Sequence, residues 1–134
     1  MSAALATQSA QRGLLVGSSA VTALVPADSI LDTGTRPEGF PRIIVGEDQE
    51  LPADEVVGRY TTIFSTLHIW SHGDGLAGAK AIAGVVRSAL HMSLWQRDGY
   101  RCIDAKFQNA RYVRDPDGET AHGIVTIQSV VEAL

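Results

Sequence analysis

Apolar residues along this chain fall into runs whose period changes at clear punctuation, and each run predicts an element. Residues 2–16 are alanine-rich, with Ala3, Ala6, Ala10 and Leu14 at helical spacing and Ser2 where an N-cap belongs. Gly17 and Ser18 end that helix, and Val21, Leu24 and Val25 give one short apolar turn before Pro26. Ser29 to Leu31 reads as a short strand. The stretch from Asp32 to Pro41 holds Gly34, Pro37, Gly39 and Pro41 and is expected to be an irregular connection.

Ile43, Ile44 and Val45 then make a β-branched strand from Arg42 to Gly46, which should run into an acidic loop at Glu47, Asp48, Gln49 and Glu50. From Gly58 to Ser71 the alternation is long. Ile63, Ser65, Leu67 and Ile69 share one face of a strand, and Phe64, Thr66, His68 and Trp70 share the other. Behind Asp74, in N-cap position, Ile82, Val85, Val86, Ala89 and Leu90 recur at intervals of three and four and predict a helix. After Gly99, Cys102, Ile103, Phe107, Tyr112 and Val113 mark a strand that ends at Asp115-Pro116-Asp117-Gly118, a type I turn sequence. Thr120 to Val131 alternates again and closes a hairpin.

The order is helix, short helix, short strand, strand, strand, helix, strand, strand, without a repeated βαβ unit. That order predicts an α+β fold: a mainly antiparallel sheet of about four strands with two helices packed on one face. The second face still carries Phe64, Trp70 and valines, and an apolar sheet face without helices over it invites a partner subunit.

Composition narrows the classes. The chain has 134 residues, enough for one domain spanning residues 1–134. An apolar fraction of 45% with 19% charged residues belongs to a folded chain rather than a disordered one. A formal charge of −4 argues against a duplex-binding module, whose affinity comes from Lys and Arg on phosphates. Cys102 is the only cysteine, so no bridge can form within the chain. No apolar run approaches the ~20 residues that span a bilayer, and the N-terminus lacks a signal-peptide pattern. Synthesis and folding in the cytosol are expected, with no membrane partner.

Reactive constellations are weak, and neither a catalytic residue nor a cofactor is expected. His68 and His72 would lie roughly 13 Å apart in a strand, too far for one metal ion, while His91 and His122 are scattered. Cys102, His122 and Asp104 can be drawn as nucleophile, base and orienter of a small hydrolase, yet no local motif supports it. Glu47, Asp48, Glu50, Asp54 and Glu55 lack the spacing and turn glycine of a calcium loop and read as a solvated segment that orders against a neighbour. Gly73, Asp74 and Gly75 lack a phosphate-loop pattern. Arg101, Lys106, Arg111 and Arg114 are close in sequence, but strand parity puts Arg101 and Arg111 on one face and Lys106 and Arg114 on the other unless a bulge intervenes.

Several segments together resemble one family. They are Thr22-Ala23-Leu24-Val25, Phe40-Pro41-Arg42-Ile43-Ile44-Val45-Gly46-Glu47, Leu67-His68-Ile69-Trp70-Ser71, Gly78-Ala79-Lys80-Ala81-Ile82, and the hairpin from Ala110 to Gly118. In order and spacing the chain is similar to the small tail-completion and tail-terminator proteins of long-tailed phages and phage-like gene transfer particles. The resemblance implies a structural virion subunit that forms a ring with copies of itself, typically a hexamer, at the head-proximal end of the tail. Its other partners would be the tail tube protein and the head-tail connector protein, with DNA only passing through. A neck or head-completion protein is the alternative within this class. Candidate subunit or partner contacts are Asp48, Glu50, Arg59, Trp70, Arg111 and Arg114.

Overall fold

Ser2 opens the first helix by accepting the Leu5 N–H on its hydroxyl at 3.1 Å, which satisfies one of the orphan donors of α1 (Ala3–Val16). The computed structural model describes residues 2–32, 39–53, 59–73 and 75–134. After α1 come a single turn of helix, α2 (Ser19–Thr22), and a 3₁₀ turn (Ala27–Ser29). Strands β1 (Ile30–Leu31), β2 (Arg42–Pro52) and β3 (Tyr60–His72) precede α3 (Ala77–Leu90), and β4 (Gln96–Arg97), β5 (Tyr100–Arg114) and β6 (Thr120–Ala133) follow it.

The strands form one sheet in the order β1-β2-β3-β6-β5-β4, antiparallel except for the parallel pair of β1 and β2. The α+β class expected from the element order is present. The detail differs: the described residues hold six strands and three α-helices where about four and two were expected. Of the two-residue edge strands, β1 falls within the short strand read at Ser29 to Leu31, whereas β4 is too short to leave a periodic signal.

Apart from Ile44 of β2, the bulky burial lies on one face. Ile63, Leu67 and Ile69 of β3 and Val125, Ile127 and Val131 of β6 are fully buried, as are Leu15 of α1 and Val86 of α3. Burying such aliphatic side chains is worth about 1.5–3 kcal/mol each and supplies the driving force that fixes the helices over the sheet. Gln11 of α1 reaches into this layer and donates from Nε2 to the Ser65 hydroxyl at 3.1 Å.

One expectation is corrected. Glu47, Asp48, Gln49 and Glu50 are not a loop: they continue β2 through a register shift between Val45 and Asp48, paired with Ser65, Phe64 and Ile63 of β3. Polarity concealed this, because an edge strand can be solvated along much of its length. Asp54, Glu55 and the rest of residues 54–58 lie outside the described residues, as do Asp74 with its expected N-cap role and residues 33–38.

Candidate subunit interface

Strand parity sends Thr62, Phe64, Thr66, His68 and Trp70 of β3 and His122, Ile124, Thr126, Gln128 and Val130 of β6 to the face opposite the helices. These central positions are only half-buried, because no described element lies over them. A sheet interior that remains accessible and carries Phe64, Trp70, Ile124 and Val130 has the character of a contact surface.

A polar chain crosses this face. The Glu47 carboxylate lies 2.6 Å from His68 Nε2, and His68 Nδ1 lies 2.7 Å from His122 Nε2. Because the carboxylate accepts, Nε2 of a neutral His68 carries the proton, and its Nδ1 is left to accept from His122. Trp70 lies flat on His122, with ring centroids 3.9 Å apart and planes 8° apart. Gly46 makes room for the chain: a Cβ there would come within 2.7 Å of the His68 ring. The four histidines were too scattered in sequence to suggest this pair; antiparallel pairing of β3 with β6 brings it together. Among the described residues no group of three or more potential ligands could hold a metal ion.

The hydrogen bond from His68 is the main cause that holds the Glu47 carboxyl below its usual range, while burial and then the neighbouring His68 push His122 below the usual histidine value. Both depressed values act in the same direction. The folded state resists protonating either group more than the unfolded chain does, so stability is full above an unfolded histidine pKa of roughly 6.5 and declines as pH falls below it. The melting temperature should therefore fall on acidification from neutral pH, and His122→Phe should flatten its upper limb. A profile of unchanged steepness in that variant would contradict the assignment.

Basic residues gather on β5 in an unexpected way. Register shifts between Cys102 and Asp104 and between Phe107 and Asn109 reset the alternation twice. Arg101, Lys106 and Arg111 consequently share the open face, and Arg114, paired with Ala121, lies on the helix side. Without the bulges Lys106 would have faced the helices. Arg101 and Arg59 both reach the Glu132 carboxylate, at 2.7 and 3.4 Å. Lys106 pairs with Asp104 at 3.6 Å, whereas Arg111 and Arg114 have no ion pair among the described residues. On the opposite side of the sheet, Asp48 is exposed on β2, and Glu50 accepts the Ala4 N–H at 3.2 Å at the start of α1. Of the six expected contact residues, Trp70 and Arg111 lie on the open face, while Asp48, Glu50 and Arg114 lie on the helix side of the outer strands. Arg59 stands just before β3.

The geometry does not support the drawn hydrolase. Cys102 is buried opposite Val131, nine positions along β6 from His122, roughly 30 Å at the rise of a strand. Burial pushes its thiol up to about 11, and its Sγ–H points at the Asp104 carbonyl at 3.2 Å. A disulfide reagent such as Ellman's should leave Cys102 untouched in the native protein and react fully after denaturation; rapid native reaction would contradict this burial.

A sheet with helices on one side and an accessible, partly apolar face on the other has the character of an assembly subunit. Comparison with known proteins identifies which kind. The sequence profile of the family described as tail completion protein gp17 matches residues 10–132, and the chain belongs to that family of virion tail proteins. Tail completion protein gp17 of Bacillus phage SPP1 is 22% identical over 104 residues, covering 78% of this chain and 77% of the relative. Among solved structures, a chain from the virion of a native gene transfer agent particle superposes with a TM-score of 0.87 at 21% identity, covering 97% of both chains. The structure of bacteriophage SPP1 gp17 superposes with a TM-score of 0.61 at 23% identity, covering 91% of this chain and 86% of the other.

Proposed function

We propose that this chain is a tail terminator: a non-enzymatic subunit that forms a hexameric ring on the head-proximal end of the tail tube. The observation that carries the reading is the uncovered sheet face of a tail-completion family member, which leaves Phe64, Trp70, Ile124 and Val130 accessible until a neighbour buries them. Its partners are further copies of itself, the tube protein below and the head-tail connector above, with DNA passing through the hole. Asp48, Glu50, Arg59, Trp70, Arg111 and Arg114 are the proposed contact residues.

The mechanism is one of affinity. Tube subunits add head to tail, and such a heterologous surface keeps growing unless something occupies its exposed end. A ring that matches that surface on one side and differs on the other stops growth and offers the connector a new one. Negative-stain images of tail tubes incubated with the purified chain test the reading: rings at one tube end are expected, and tubes with bare ends at saturating protein would contradict it.

A further inference from the structure

The sheet ends in two edges of opposite charge. At one, β1 covers only Ile43 and Ile44, so among the described residues the edge of β2 from Val45 to Pro52 carries no further strand. That stretch holds Glu47, Asp48 and Glu50 and no cation. At the other edge, the first half of β5 is engaged from outside. The Trp95 carbonyl accepts the Cys102 N–H at 2.8 Å, the Met92 N–H donates to the Ala105 carbonyl at 2.8 Å, and His91 Nδ1 accepts the Phe107 N–H at 3.1 Å. Beyond Phe107 no such cover continues among the described residues, and alternation across the second bulge gives the outward backbone groups to Ala110, Tyr112 and Arg114. The stretch from Asn109 to Arg114 holds two arginines and no carboxylate.

An unpaired edge is a template for another strand, with main-chain hydrogen bonds giving affinity and side chains giving specificity. A second copy of this chain offers each edge the charge that it lacks. Like edges repel, which disfavours a two-fold dimer and selects head-to-tail order, the order from which rings close. Leu51 and Val113, 42% and 41% exposed, lie on the same open face of the two outer strands, where joining the edges would cover them.

From these features we infer that copies join edge to edge, the β2 edge of one against the β5 edge of the next, with Arg114 on the side of Asp48 and Glu50 and Arg111 on the open side with Glu47. The inference rests on the ring reading and names the contact that builds the ring.

Tails lacking the chain are supplied with the wild type, with Asp48→Lys/Glu50→Lys, with Arg111→Glu/Arg114→Glu, or with an equal mixture of the two variants. Thermal unfolding first establishes that both variants are folded; Ser2 still caps α1 when Glu50 is replaced. Each variant alone is expected to lose at least about tenfold in ring formation, since like-charge edges then meet at every contact. The mixture should recover, because one variant carries two basic edges and the other two acidic ones. Rings from either variant alone at wild-type levels, or no rescue by mixing, overturn the edge pairing and leave the ring reading standing. A wild type that forms no ring removes both. As a second measurement, Leu51→Cys/Val113→Cys in the otherwise native chain should give a ladder of disulfide-linked copies on oxidation of assembled rings. Within one copy β2 and β5 lie three strand spacings apart, about 14 Å, and Leu51 and Val113 also stand at opposite ends of those strands, well beyond disulfide reach. Rings that yield no linked copies overturn the pairing.

Discussion

Particles assembled without this chain are expected to accumulate as filled heads and separate tail tubes, with joined particles reduced by orders of magnitude. The expectation follows from the proposed ring on the tube end. Each contact between neighbouring subunits is repeated around the ring, and the connector meets several copies at once, so small affinities multiply into an all-or-none joint. Removing the chain removes every copy of that joint together. Counting joined and unjoined particles by electron microscopy tests this. Joined particles at wild-type frequency would contradict the role.

The largest expected effect on the subunit itself comes from Ile69→Ala. Ile69 is fully buried in β3, one of the two central strands, beneath α3, and its partner across the ladder is Gly123. A Cβ added at Gly123 would already lie 3.3 Å from the Ile69 Cβ, so the β6 backbone itself forms the wall there and has no side chain with which to fill a void. The cost should fall within the ~2–5 kcal/mol range of such truncations, and towards its upper end. At this chain length that corresponds to a loss of about 10 °C or more in melting temperature. A loss of only about 2 °C in calorimetry would show that the site collapses around the smaller residue.

The elements were largely legible because their burial is one-sided. Ile63, Leu67 and Ile69 alternate with Phe64, Thr66 and His68, and the same alternation fixes which face α1 and α3 cover. Helix α1 was marked by Ser2 and by alanines at the spacing of its buried face. What remained hidden depended on departures from period. The bulge after Val45 extends β2 into Glu47–Pro52, where exposed acidic residues read as a loop, and the two bulges of β5 overturn the parity assigned to Lys106. A bulge inserts one residue without a dependable local signature, and every side chain beyond it changes face.

The histidine chain was hidden for a different reason. His68 and His122 are 54 positions apart, and only the register of β3 on β6 makes them neighbours. Distance in sequence had counted against a shared histidine site, yet in a sheet it says nothing about distance in space. The contact surface was legible in kind, from the apolar second face, but its division into an acidic edge and a basic edge needed the strand order. Only that order puts β2 and β5 toward opposite ends of the sheet.

The central claim is that this chain ends the growth of a tail tube, and the length distribution of tails made with and without its gene tests that claim most directly. With the chain present, lengths should cluster narrowly, since the tube is capped once it is complete. Without it, the distribution should broaden toward longer tubes, because the head-to-tail surface of the last tube ring stays open to further subunits. Tail lengths that are unchanged in its absence, together with normal joining to heads, would contradict the account.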